Sequence, residues 1–230
     1  MDPDNNRNHR ISIQVCLSGY SFQIRRGDAV TSRSPWLAAD KVFTCPELQQ
    51  RYDEVSVSLL TPKVTLVPEV FFDPAAGRAA LEDVVHLDPS DTVASLAVPA
   101  FAARLVYSLS LGETLSATVA RMVPGPEGHA ASVLPEMYFL LTELDRIPEY
   151  NRILASYADG YLHLVLGQGR NLLLANVFRA PDFTTAEYFL FLSLKKLQLN
   201  PEVSSIYFRT PLSEEEELSL YRYFKSVEQL

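Results

Sequence analysis

The feature that most constrains the fold of this chain is a pattern of strand and turn signals that occurs twice. In the first copy, apolar residues alternate with polar ones over residues 11–17, and this period of two predicts a half-buried strand. Ser18 and Gly19 then supply a turn, and a second alternation over residues 20–25 predicts the returning strand. Residues 11–25 are therefore expected to form a β-hairpin.

The second copy has the same signals in the same order. Asp159 and Gly160 mark a hairpin turn, a strand follows through Val165, and Gly167-Gln168-Gly169 marks the next turn. Each copy then continues into a third strand and a helix whose start is indicated by a capping box, a threonine with a glutamate three residues later. The third strands are predicted at 36–43 and 171–178, and the capping boxes at Thr44 with Glu47 and at Thr184 with Glu187.

A helix, a strand and a helix follow each three-stranded meander, so the sequence predicts an α/β protein in which a βββαβα unit is duplicated. The Pro-Gly cluster at 124–128 is the strongest break, and it predicts lobes at 1–124 and 125–230, with a disordered tail at 1–9. The further predicted elements are strands at 55–60, 63–67, 104–108 and 204–209, helices at 114–122 and 187–197, a helix from Pro68 toward Ala80, and a last helix capped by Ser213 with Glu216 whose apolar stripe reaches Val227. Residues 81–99 stay unassigned, and 129–144 stays open between helix and strand.

The net charge disfavours two classes of partner. At −8, with a pI of about 5.0, the surface repels nucleic-acid phosphates and anionic membrane leaflets. The polar lead MDPDNNRNHR is unlike a secretory signal, and the most apolar stretch, 93–109, contains Pro99 and Arg104. We therefore expect a cytoplasmic protein that binds no nucleic acid and does not insert into a membrane.

The sequence predicts neither a catalytic group nor a metal site. Histidines occur at positions 9, 86, 129 and 163 without ligand spacing, and Cys16 and Cys45 are expected to be small core residues. The first strand carries no carboxylate, which disfavours the metal-dependent nuclease chemistry of a single ribonuclease-H-like unit.

A duplicated βββαβα unit is the ribonuclease-H-like architecture of actin, Hsp70 and the sugar kinases. The chain resembles more closely a family of uncharacterised bacterial proteins with an actin-like ATPase fold. The resembling stretches are ISIQVCLSGYSFQI, LVYSLSLGETL with the following His129, LLLANVF through TTAEYFLFLSLKKLQLNPE, and the terminal SLYRYF. The resemblance implies a fold, whereas function depends on the site.

In active members of the actin-like group, two hairpin turns bind the nucleotide phosphates, and an aspartate at each turn binds magnesium or its waters. By this resemblance the candidate phosphate-binding residues are Ser18, Gly19, Asp159 and Gly160. The first turn has Leu17 in place of the aspartate, with Tyr20 and Phe22 after it, and the second keeps only Asp159.

The leading hypothesis is therefore a non-catalytic actin-like module that acts as an intracellular binding or scaffold protein, needs no cofactor and has a protein partner. The alternative is a divergent nucleotide-binding ATPase that uses ATP with Mg²⁺, with Asp159 toward the metal.

Overall fold

A computed structural model describes residues 9–110, 112–123, 125 and 128–230 of this chain. In chain order, the strands are β1 (His9–Val15), β2 (Gly19–Arg26), β3 (Ala29–Arg33), β4 (Leu37–Ala38), β5 (Glu54–Leu59), β6 (Val64–Pro68), β7 (Val93–Val98), β8 (Ala103–Ser108), β9 (Val133–Pro135), β10 (Asn151–Ala158), β11 (Tyr161–Gln168), β12 (Asn171–Arg179), β13 (Ser205–Phe208) and β14 (Ser226–Gln229). The α-helices are α1 (Gly77–Glu82), α2 (Glu113–Met122), α3 (Glu136–Leu144), α4 (Phe183–Lys196) and α5 (Glu214–Tyr221).

These elements form two compact units. Unit 1 comprises residues 1–60 and 111–134, and unit 2 comprises residues 61–110 and 135–230. No helix of the described residues is both long and apolar enough to cross a bilayer.

Unit 1 is built on a sheet with the strand order β3-β2-β1-β5-β9, and β4 pairs with the start of β2. Strand β1 is antiparallel to β2 and parallel to β5, so the first strand occupies the middle of the sheet. Ile13, Val15, Val57 and Leu59 are fully buried on these central strands. The core of unit 1 therefore forms around the first hairpin.

Unit 2 has a sheet with the equivalent order, β12-β11-β10-β13-β14, again with the first strand antiparallel to the second and parallel to the fourth. Both faces are covered, which explains why β10 and β11 are buried almost throughout. Ile153 belongs to a core cluster with residues of α4 and α5, whereas its neighbour Leu154 belongs to a cluster with residues of α3. The shared strand order confirms the duplicated fold that the sequence predicts.

A small sheet with the order β6-β8-β7 completes unit 2. Leu105 and Tyr107 of β8 share a core cluster with Met137 and Leu140 of α3. Residues 61–110 therefore belong to the same compact unit as residues 135–230. The sequence analysis had assigned them to the first lobe, with its boundary at 124/125.

Most strands outside the first meander agree with the sequence analysis. The predictions at 55–60, 63–67, 104–108, 171–178 and 204–209 are confirmed as β5, β6, β8, β12 and β13. The helix predicted at 114–122 is confirmed as α2, and the unassigned residues 81–99 contain the end of α1 and β7. The ambiguous segment 129–144 contains both β9 and α3.

Four element predictions are wrong in the first half. Residues 36–43 form only the short strand β4 and a 3₁₀-helix at Ala39–Phe43. The helix predicted at Thr44 does not form, because Cys45 precedes Pro46 and a residue before proline disfavours the helical region. The helix from Pro68 is interrupted at Pro74, and only α1 is α-helical there. His9 belongs to β1 rather than to a tail, while residues 1–8 lie outside the described residues.

Two helix boundaries differ in the second half. Helix α4 is capped by Asp182, whose carboxylate accepts the Thr185 N–H at 2.7 Å, rather than by Thr184 with Glu187; aspartate is a better cap than threonine. The predicted capping box of Ser213 with Glu216 is confirmed, but α5 ends at Tyr221. Val227 reaches the same core from β14, which pairs with β13.

Candidate functional site

The first predicted turn joins β1 to β2 and is stabilised by backbone hydrogen bonds of unit 1. The Cys16 N–H donates to the Gly19 carbonyl oxygen at 2.9 Å, and the Ala39 N–H donates to the Ser18 carbonyl oxygen at 3.3 Å. Ser18 is exposed, whereas Gly19 is buried as the first residue of β2. The Ser18 carbonyl oxygen is thus already bonded within the chain.

Gly19 is a glycine because another part of the backbone lies against it. Strand β4 pairs Ala38 with Gly19, and a Cβ atom built on Gly19 would lie well under 3.0 Å from the carbonyl oxygen of Leu37. Real Cβ atoms do not approach a backbone atom so closely, so any side chain here would displace β4. The close approach that a glycine allows is made here by the chain itself.

Tyr20 follows this glycine into the core. Its side chain is completely buried, and burial together with the neighbouring Cys45 thiol raises the pKa of the Tyr20 phenol well above its ordinary value. The Cys45 thiol donates to Glu47 Oε2 at 3.2 Å, and burial raises its pKa as well. A protonated, buried thiol is a weak nucleophile.

The second predicted turn is a two-residue hairpin loop between Ala158 and Tyr161, which are paired across β10 and β11. Asp159 and Gly160 have φ values of +49° and +74°. Positive φ at both central residues is the signature of a type I′ turn, for which Asp-Gly is a preferred sequence. The Gly160 carbonyl oxygen accepts the Ala180 N–H at 2.7 Å, so this turn too is bonded to its own unit.

The structure therefore places Ser18 and Gly19 in a hairpin of unit 1, and Asp159 and Gly160 in a hairpin of unit 2. Each pair has a backbone role in its own hairpin. Within the described part of the chain, no three His, Cys, Asp or Glu residues cluster in a way that could bind a metal ion.

Sequence reasoning missed a cluster of buried polar residues in unit 2. Glu136 begins α3 and is completely buried, and its Oε1 lies 2.7 Å from Arg209 Nη1 and accepts the Ser156 hydroxyl at 2.7 Å. The Arg209 guanidinium also lies over the Phe139 ring, 4.9 Å from its centre. A buried carboxylate requires such compensation, because without it its burial would cost several kcal/mol.

His163 belongs to the same buried region. Its Nε2 lies 3.0 Å from the Thr61 carbonyl oxygen, an acceptor, so Nε2 carries the proton. Burial lowers the pKa of His163, against smaller opposing effects of this hydrogen bond and of the Glu136 carboxylate. The sequence analysis noted only that His163 lacks metal-ligand spacing, because no motif marks its pairing with Ser156 on the neighbouring strand.

A surface groove of about 470 Å³ is a further feature of unit 2 that the sequence did not reveal. It is lined mainly by apolar residues of β6, β12 and the turn between β7 and β8, with Arg170 as its charged residue. Grooves of about 300–1,000 Å³ are typical of ligand sites.

Comparison with known protein families identifies the chain. The profile of the family described as "Protein of unknown function (DUF3822)" matches residues 1–227. The chain belongs to this family. No curated protein sequence matches it.

Two solved structures resemble this DUF3822 member over nearly its whole length. A Bacteroides thetaiotaomicron protein with an actin-like ATPase fold and unknown function superposes with a TM-score of 0.65 at 16% identity, covering 100% of this chain and 93% of that one. The PilM-PilN type IV pilus biogenesis complex superposes with a TM-score of 0.55 at 14% identity, covering 97% of this chain and 88% of that one. The fold is thus the actin-like ATPase fold that the sequence predicts.

We expect Gly19→Ala to lower the free energy of unfolding by about 3 kcal/mol, because the new methyl group overlaps the Leu37 carbonyl oxygen. Gly27→Ala is the matched control. Gly27 has φ +58° with open space around its Cα, so we expect only the backbone cost of about 1 kcal/mol there. Urea denaturation measures both, and equal losses would contradict the packing explanation for Gly19.

We also expect His163 to make stability depend on pH. Because its pKa is lowered in the folded state and lies near 6.5 when unfolded, the unfolded chain binds more protons as pH falls through about 6.5. The contribution of His163 is therefore present above that pH and is lost on acidification, by about 1 kcal/mol between pH 7 and 5.5.

The measurement is urea denaturation of the wild type and His163→Gln across this range. The difference between their free energies of unfolding should shrink as pH falls. Parallel profiles for His163→Gln would show that His163 does not titrate as described.

Proposed function

We propose that this DUF3822 protein is a non-catalytic actin-like module that binds another protein in the cytoplasm and so acts as a scaffold. The observation that carries the proposal is the first hairpin turn, where the Leu37 carbonyl oxygen lies directly against Gly19. Nucleotide phosphates need backbone N–H groups with open space in front of them. At Gly19 that space is taken by β4.

The second turn supports the same conclusion. A type I′ loop needs glycine at its second position for conformation alone, so Gly160 has a sufficient structural reason. The side chains of Tyr20 and Phe22, which follow the first turn, are buried in the core and offer no group to a phosphate.

Surface properties support a protein partner. Val70 and Phe71 are 85% and 79% exposed on a short 3₁₀-helix, and exposed apolar side chains near a groove are typical of protein-binding surfaces. PilM, which has a similar fold, is known from its structure in a complex with PilN. We infer by analogy that the actin-like fold of this chain also serves protein association.

The competing hypothesis is a divergent ATPase with Ser18, Gly19, Asp159 and Gly160 around the phosphates of Mg-ATP. The observation in its favour is Asp159, an exposed carboxylate at the second turn. That acid alone supplies one oxygen donor toward a metal that takes six.

Thermal unfolding with and without millimolar Mg-ATP separates the two hypotheses. We expect no rise in Tm, whereas a nucleotide at 100 times its Kd would stabilise the fold by about 2.7 kcal/mol. The matched variant is Asp159→Ala, compared under the same conditions. A clear rise in Tm that Asp159→Ala abolishes would replace the scaffold with the ATPase.

A further inference from the structure

Two sheet edges of unit 2 border the groove described above. Strand β12 is the last strand of the five-stranded sheet, and β6 is the last strand of the three-stranded sheet. Leu66 and Pro68 contribute from β6 and Leu172 from β12, and Phe101 comes from the turn between β7 and β8. The groove is therefore lined mostly by apolar residues between two terminal strands, but it exposes about as much polar as apolar surface.

A terminal strand leaves alternate backbone N–H and C=O groups without a sheet partner. These groups are the recognition elements used when an extended peptide adds to a sheet, with the pockets beside the strand selecting alternate side chains. Proline at position 68 removes an N–H donor from β6, which makes the edge of β12 the better one for pairing.

The groove has one charged residue, Arg170, at the turn before β12. Arg170 is exposed and forms no ion pair with any described residue. A guanidinium beside an apolar surface favours a carboxylate, with which it forms paired charge-assisted hydrogen bonds.

The exposed pair Val70 and Phe71 extends the apolar surface next to Pro68. Its 3₁₀-helix is held to the groove wall, because the Glu69 N–H donates to the Ala102 carbonyl oxygen at 2.8 Å. The Glu69 carboxylate also pairs with Arg104 at 3.4 Å. The apolar pair is thus fixed beside the groove rather than on a separate loop.

We propose that this groove binds an extended segment of a partner protein, which adds as a strand to the edge of β12 at Asn171 and Leu172. Apolar side chains of the segment enter the groove, and an Asp or Glu side chain or a terminal carboxylate pairs with Arg170. This inference rests on the proposed protein-binding function and names the chemistry of the partner.

The probe is a phage-displayed library of random dodecapeptides selected on the purified full-length chain. We expect the enriched peptides to combine apolar residues with an acidic one. Fluorescence anisotropy of a labelled, enriched peptide then gives its Kd. Arg170→Ala should raise that Kd about tenfold or more, because a charge-assisted contact is lost.

Arg179→Ala is the matched control, since Arg179 is also an exposed arginine but lies at the far end of β12, whereas Arg170 directly precedes the start of that strand. It should leave the Kd unchanged. Arg170→Glu, selected on the same library, should enrich basic peptides in place of acidic ones. Both Arg170 variants should keep the urea midpoint of the wild type, because the side chain is exposed.

N-methylation of the enriched peptide, one amide at a time, tests strand addition. Alternate positions should weaken binding while the intervening ones do not, since only every second amide of an added strand faces the sheet. A loss that follows a helical period, or no loss at any position, would overturn strand addition.

Three outcomes would overturn the groove itself: no enrichment, peptides whose binding is insensitive to Arg170→Ala, or a dimer in sedimentation equilibrium that Arg170→Glu dissociates. The last would assign the groove to a second copy of the chain. Peptides that bind elsewhere on the chain would contradict the groove but not the proposed scaffold function. The Mg-ATP experiment tests that function separately.

Discussion

The buried carboxylate of Glu136 is the constraint on which the architecture of unit 2 depends. It begins α3, accepts the Ser156 hydroxyl from β10, and pairs with Arg209 directly after β13. Removing either partner would leave a buried charge uncompensated, at a cost of about 3–5 kcal/mol. The pairing therefore joins a helix to two sheet strands, and Leu140 of α3 and Leu154 of β10 share a core cluster.

The two units have kept the same strand order while their connections have diverged. In unit 2 the third strand leads into α4, a full helix with an aspartate cap, whereas in unit 1 the equivalent connection contains only β4 and 3₁₀-helices. Proline at position 46 disfavours a helix that begins at Thr44, because the residue before a proline, Cys45, disfavours the helical conformation. The shortened connection allows β4 to lie against Gly19.

The sequence predicts what depends on local periodicity and misses what depends on tertiary contact. The central strands were predictable because alternate residues face a core, and the cap at Ser213 because its partner lies three residues away. Strand β3 was missed since it is mostly exposed and carries no apolar alternation. The candidate turn residues were correctly placed in hairpins, but the atom that approaches Gly19 comes from Leu37, which no local pattern identifies. Glu136 and Arg209 meet only through the fold.

A glycine in a turn shows that something approaches the backbone closely, or that φ is positive, and both causes can be internal. Gly19 contacts Leu37, and Gly160 has positive φ. Gly167, which the sequence predicts to be in a turn, lies in β11 against the buried Arg152 guanidinium, whose Nε would be 3.1 Å from a Cβ there. None of these glycines needs a ligand to account for it. Among the described residues, the outer edge of β12 pairs with no other strand and Arg170 forms no ion pair. Unused hydrogen-bonding and charged groups are therefore better indicators of the binding surface in this protein than its glycine turns.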